Sequence, residues 1–284
     1  MATLKEIRGR IKAAKNIQQI TKAMKLVAAA RLKKATDRVL EARPYADKLR
    51  DVMASLAAAG ELPPHPLLQN RPIERIGLIV ITSDRGLAGA YNTSLIRKSA
   101  DFLKEATVPV NVLTVGKKGF QFFGRRREIA FNLSVPSSGA RLEDAVQVTK
   151  VARQMFESGE VDAVFVCYSK FYSAIRQVPQ IVQLLPISAP EGSTATKGGD
   201  VLFEPNAETL LNTLLPRYFQ TLVWQAMLES TASEFGARMS AMTGATDNAG
   251  KMIQRLTLQA NRERQAAITT QILEIVGGAE AQNG

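Results

Sequence analysis

The chain has 284 residues, 45% of them hydrophobic and 22% charged, with a net charge of +11. That composition suits one or two domains with ample material for a buried core. A single cysteine, Cys167, excludes an internal disulfide, and the lack of a run of about 18 apolar residues excludes an expected membrane span.

Residues 2–59 are poor in glycine and proline and helical in pattern. Leu4, Ile7, Ile11, Ala14, Ile17, Ile20, Met24 and Val27 recur at steps of three and four, the spacing of a narrow seam that packs helix on helix. Pro44 predicts a kink, because a proline inside a helix removes a hydrogen bond and crowds the preceding turn. Gly60 and then Pro63 and Pro64 end the helix. Residues 1–35 carry ten Lys/Arg against one acid, Glu6, whereas residues 206–284 carry six basic and seven acidic side chains. So polarised a charge points to an acidic partner (nucleic acid, anionic lipid or an acidic protein surface), set against the plainer reading of a solvated helix face. The charged start lacks the apolar core of a signal peptide, so a cytoplasmic or membrane-peripheral location is expected.

The middle reads differently. Residues 77–82, 108–115 and 161–168 are short β-branched runs suited to buried strands, with Cys167 as a buried strand thiol, and 177–186 adds a further strand. Helical patterns at 93–104, 117–123 and 142–156 alternate with them, which predicts an open α/β sheet with right-handed crossovers. Residues 191–200, rich in Gly, Ser and Thr, read as a flexible connector. The last helix opens at Asn206, a residue suited to cap it, with Glu208 in the first turn. Its stripe starts with Leu211, Leu214, Leu215, Tyr218 and Leu222 and continues through Phe235, Met239, Met242, Ala249, Met252 and Leu256. Gly277 and Gly278 are expected to stop it.

Neither end can build a core alone, so each stripe is expected to find its partner in the other. The fold class is α/β: a long antiparallel two-helix coiled coil formed by the N- and C-terminal segments, plus a central open, Rossmann-like α/β domain. The seam comprises Ile7, Ile11, Ile20, Met24, Val27, Phe235, Met239, Met242, Met252 and Leu256. The expected division is 1–60 for the first coiled-coil helix, 73–190 for the α/β domain, 191–205 for the connector and 206–284 for the second helix. At ~1.5 Å per residue the helices would span roughly 85 and roughly 105 Å, with the kinks at Pro44 and Pro216 near the α/β domain. About 14 residues at the C-terminal tip would then lack a partner. A lone helix end of that kind is unstable in water and implies a sleeve supplied by other subunits.

Candidate chemistry is sparse. Residues 82–92, TSDRGLAGAYN, follow a strand and precede a helix, where phosphate-binding loops sit. Gly86 and Gly89 do not form G-x-G-x-x-G, however, and no Gly-Lys-Ser/Thr follows, so a structural turn is the better reading. His65, the single histidine, lies in a proline-flanked loop and reads as a surface residue. No His/Cys/carboxylate cluster has metal-ligand spacing, and no cofactor is expected. The basic N-terminus lacks interleaved aromatics for base stacking.

Residues 232–249 (ASEFGARMSAMTGATDNA), 261–269 (NRERQAAIT) and 274–279 (EIVGGA) closely resemble the γ subunit of F-type ATP synthases. So do 19–30 (QITKAMKLVAAA) and 83–89 (SDRGLAG), and the motifs fall in the right order. The chain departs from the family pattern at Lys25, where an acid is frequent, at Ala260, where an aromatic is usual, and at Glu263, where alanine is usual. The resemblance implies a non-catalytic central-stalk rotor that couples proton flow through a membrane c-ring to ATP synthesis or hydrolysis at the β subunits. It implies three α and three β subunits, an ε subunit and the c-ring as partners. Contact with the membrane would be only indirect, at the cytoplasmic face of a bacterial plasma membrane. Carried over by motif, Arg264, Gln265 and Thr269 match positions that contact the β subunit, and Phe203 and Glu204 match the foot that faces the c-ring. Arg85, in the family loop, takes no assigned role. Two rival readings are a basic coiled-coil nucleic-acid-binding protein and a nucleotide-dependent α/β enzyme built on residues 83–92.

Overall fold

The computed structural model describes residues 3–58, 63–136, 138–188 and 207–283. Two helices dominate: α1 (Leu4–Ala58), with Pro44 inside it, and α5 (Ala207–Asn283), with Pro216 inside it. Between them lie a 3-10 turn (Pro66–Leu68), β1 (Ile76–Ile81), α2 (Tyr91–Glu105), β2 (Val110–Val115), α3 (Lys117–Phe123), β3 (Ile129–Leu133), α4 (Leu142–Glu157), β4 (Ala163–Ser173) and β5 (Arg176–Leu185). The chain divides into two compact units, residues 1–27 with 239–284 and residues 28–238, so the division cuts through both long helices. Gly277 and Gly278 do not stop α5, which continues to Asn283. A glycine costs a helix only about 1 kcal/mol relative to alanine, and no proline follows to force an end.

The unit spanning 28–238 is built on a five-stranded sheet of order β3-β2-β1-β4-β5, parallel except for β5, which turns back antiparallel to β4. Every residue of β1 is buried, as expected for a central strand covered on both faces. Alternation then assigns the layers. Leu78, Val80, Val112 and Cys167 pack with Tyr91, Leu95 and Phe123 of α2 and α3. Ile79, Ile81, Leu113, Val164 and Val166 pack with α4, with Leu49 and Met53 of α1, and with Leu211, Leu215, Phe219 and Met227 of α5. The segments of both long helices that belong to this unit are therefore core elements of the sheet domain. Strand β3 was not expected from the sequence. Its residues alternate between half-buried and exposed, the mark of an edge strand rather than of a β-branched core run.

Along α5, residues 226–233 are buried on all sides, which a helix tolerates only when it is enclosed by other elements. Four of the eight are polar, and three of them bond outside the helix or back into it. Ser230 Oγ accepts from the Ser169 N–H (3.3 Å), Ser233 Oγ donates to the Ser169 carbonyl (2.9 Å), and Thr231 Oγ1 donates to the Met227 carbonyl (2.8 Å). The fourth, Glu229, keeps one carboxyl oxygen unpaired.

The other unit holds the two helix ends. Thr246 Oγ1 donates to Thr21 Oγ1 at 2.8 Å, and a Cβ at Gly250 would lie 3.1 Å from the Gln18 amide, so the helices run antiparallel. The buried and half-buried positions of α1 here are Leu4, Ile7, Ile11, Ala14, Gln18, Thr21, Met24 and Lys25, spaced by three and four except for the adjacent pair Met24 and Lys25. On α5 they include Met239, Met242, Thr246, Ala249, Ile253, Leu256, Ala260 and Glu263, with the same spacing of three and four. Stepping along both helices from the Thr21–Thr246 contact pairs Gln18 with Ala249, Ala14 with Ile253, Ile11 with Leu256 and Ile7 with Ala260.

This corrects part of the expected seam. Ile20 and Val27 are 59% and 52% exposed, as is Ile17 at 54%, and Met252 is 55% exposed. Packing follows position: the heptad spacing places Gln18 and Thr21 inward and Ile17 and Ile20 beside them one step off it, whereas Met24 stays half-buried next to Lys25. Phe235, in the unit spanning 28–238, is buried.

Candidate functional site

In an open α/β sheet of this order, ligands enter the crevice at the carboxyl ends of the strands where the order reverses, here between β1 and β4. The loop after β1 occupies that place and is held from every side. Thr82 Oγ1 donates to the Val115 carbonyl (3.1 Å) and accepts from the Gly119 N–H (2.9 Å). Asp84 Oδ1 accepts from the N–H groups of Lys117 (2.9 Å) and Val135 (3.2 Å), so a carboxylate already sits where a phosphate would meet the first turn of α3. Asn92 Oδ1 accepts from the Ser83 N–H (3.0 Å), and Ser83 Oγ donates to the Arg85 carbonyl (2.6 Å). Leu87 takes the left-handed conformation at φ 62°, costly for a branched side chain, and stands exposed at the loop's crest.

α5 fills what remains of the crevice. Tyr91 Oη donates to the Ser230 carbonyl (3.1 Å), and Arg238 Nη2 donates to the Gly86 carbonyl (3.3 Å) while pairing with Glu234 at 2.6 Å. Burial pushes the Glu234 carboxyl above its ordinary range despite the pull of Arg238. The cavity left between Thr82, Tyr91, Val135, Ser230 and Glu234 measures about 10 Å³, room for at most one water. A nucleotide cannot enter. Cys167, fully buried beneath α2, has its thiol pushed up to about 11 by burial, the reverse of an activated nucleophile. His65 is half-buried, with Nδ1 accepting from the Leu67 N–H at 3.1 Å, and burial lowers its pKa. It therefore caps the 3-10 turn.

The second candidate surface is the end of α5. From Arg264 through Ala279 every residue is exposed, including Ile268, Ile272, Leu273, Ile275 and Val276. α1 begins at Leu4, opposite Glu263 in the pairing above, so residues 264–283 run on without a helix partner among the described residues of their unit, a longer tip than the spacing of the sequence predicts. Thr269 Oγ1 donates to the Gln265 carbonyl at 3.0 Å, and the side chains of Arg264 and Gln265 make no bond to any described residue. The three residues share one exposed stretch. Phe203 and Glu204 lie outside the described residues. Lys5, Arg8, Arg10, Lys12, Lys15 and Lys22 are all exposed on α1, off the seam. Among the described residues no helix is long and apolar enough to cross a membrane, and no cluster has metal-ligand geometry.

A protein-family model described as ATP synthase matches residues 3–282. The chain is 50% identical to the ATP synthase gamma chain of Desulfitobacterium hafniense, over 99% of each chain. It is 48% identical to that of Brevibacillus brevis, over 98% of each. The chain belongs to the ATP synthase gamma chain family. As a gamma chain it is a central-stalk subunit of F-type ATP synthase, and the nucleic-acid reading of its basic N-terminus is not supported. Among solved structures, a chain of the Euglena gracilis mitochondrial ATP synthase shares its fold, with a TM-score of 0.72 at 22% identity over 98% of this chain and 94% of that one. A chain of the Tetrahymena thermophila mitochondrial ATP synthase, from its central stalk and c-ring, scores 0.59 at 26% identity over 80% and 99%.

Arg264, Gln265 and Thr269 stand out by motif alone. The Glu234–Arg238 pair and its grip on Gly86 were missed, although an acid and a base four apart on a helix are a readable signal.

Proposed function

We propose that this chain is the rotor of its complex: a shaft that turns inside a ring of three α and three β subunits and carries no catalytic residue. The bare tip of α5 is the observation that supports this reading. A solvent-exposed helix end with five large apolar side chains is unstable in water and needs a surrounding sleeve. Arg264, Gln265 and Thr269 contact the β subunit there, and the basic face from Lys5 to Lys22 meets acidic loops of the same subunits. Phe203 and Glu204 form the foot on the c-ring, beside an ε subunit, at the cytoplasmic face of a bacterial plasma membrane. Proton flow through the ring turns the chain, and the chain drives each β subunit in turn through its conformational states.

The test is twofold. The mass of the intact complex purified through a tag on this chain should show one copy among three pairs of larger subunits. Gln265→Ala should lower ATP turnover by that complex about tenfold, roughly the loss of 1.4 kcal/mol of coupling, with nucleotide affinity at the first site unchanged. A pure loss of nucleotide binding, or a complex holding several copies of the chain, would contradict the rotor reading.

A further inference from the structure

The β4–β5 pair runs past the sheet that carries it. β1 pairs with β4 only from Ala163 to Cys167, whereas β4 and β5 go on pairing as far as Ser173 and Arg176. A two-stranded ribbon is marginal by itself, and α5 braces this one. Ser230 and Ser233 hold both backbone groups of Ser169, and a Cβ at Gly236 would come within 3.1 Å of the Ala174 carbonyl, so any larger residue there would push helix and turn apart by a few tenths of an ångström. The turn is also fixed from within. Gln177 Nε2 donates to the carbonyls of Ser173 (3.0 Å) and Ala174 (2.7 Å), and the Arg176 N–H donates to Ser173 Oγ (3.1 Å).

This fixed turn holds Ile175 in solvent at 86% exposure, the highest of any large apolar side chain among the described residues. Beside it Tyr172 is half exposed, with Lys170 Nζ 5.6 Å and the Arg176 guanidinium 4.9 Å from its ring centroid. Residues 168–180 carry those two cations and no acid. Val178 and Val182 extend the apolar strip along the same face of β5 as Arg176. Pro179 removes a backbone donor from this edge strand, which disfavours the addition of another strand and leaves side-chain docking.

We propose that this turn is a docking knob for an acidic protein surface on a neighbouring subunit of the complex. Ile175 enters an apolar pocket of that subunit, and Lys170 and Arg176, held against Tyr172, meet carboxylates at its rim. An apolar anchor on a rigid turn with a charged rim is the anatomy of an interface hot spot. Charge complementarity selects the partner, and the inference rests on the stalk reading above.

The test uses the whole complex, purified through a tag on a β subunit, with Tyr172 replaced by the photo-crosslinking residue benzoylphenylalanine. Irradiation should join the turn to a single subunit at an acidic segment. Ile175→Asp or Arg176→Glu, both exposed and outside every core, should lower the yield about tenfold, and raised salt should lower it too. Crosslinks to lipid, crosslinks scattered over several subunits, or none while the chain is present would each overturn the knob and leave the stalk reading intact. Absence of this chain from the tagged complex would instead fail the stalk reading itself.

Discussion

Glu229 sits buried on α5 with one carboxyl oxygen unpaired and the other accepting from Gln225 Nε2 at 3.3 Å. Burial raises its pKa above the ordinary 4.5, outweighing the Phe171 backbone N–H, Gln225 and the cations Lys170 on β4 and Arg43 on α1, while the Tyr168 hydroxyl also faces it from β4. The folded chain therefore holds this proton more tightly than the unfolded chain. The stability it contributes is present below about 4.5 and falls as pH climbs toward the folded value. Glu229→Gln keeps the group neutral at every pH. Its thermal midpoint should exceed the parent's at pH 8, with the gap closing below about pH 4.5, as followed by circular dichroism. Equal midpoints across that range would show the carboxylate to be solvated in the fold. Glu234 is shifted in the same direction, so a shallower slope should survive in the variant.

Among the elements, the paired helix ends show what a sequence conveys and what it hides. The three-and-four spacing of Ile7, Ile11 and Ala14 was legible because those inward positions are apolar. It was lost at Gln18 and Thr21, where polar residues hold inward positions and the apolar neighbours Ile17 and Ile20 drew the reading off by one, while Met24 is half-buried beside Lys25. Hydrophobicity reports where a seam runs only while the seam is hydrophobic; Thr21 and Thr246 satisfy each other across it instead. The sheet was legible where strands are buried on both faces, as in β1, and not at edge strand β3. The crevice could be read as a phosphate loop because nothing local reveals that a helix more than a hundred residues later closes it.

The same register makes a prediction. Three- and four-residue steps from Thr21–Thr246 set Met242, 5% exposed, opposite Lys25. Met242→Lys should then place two ammonium groups in one layer and cost about 2–4 kcal/mol. Met242→Glu, meeting Lys25 instead, should cost clearly less. Chemical denaturation of both variants checks this, and equal losses would put Lys25 and Met242 in different layers.

At the scale of the whole molecule, α1 and α5 each continue unbroken from one compact unit into the other, so neither unit is joined to its neighbour by a loop. Continuous hydrogen-bonded helices resist twisting as loops do not, which suits a chain whose task is to carry torque. The net charge of +11 is concentrated toward the end of α1 that lies in the unit with the bare tip, where partners with acidic loops would be met. The most direct measurement places a gold bead on Lys104→Cys, exposed on α2, in complexes fixed to a surface through their β subunits; the native Cys167 is buried and stays unlabelled. With ATP supplied, the bead should turn continuously in one direction and stop when ATP is removed. ATP hydrolysis at full rate with the bead at rest would contradict the account.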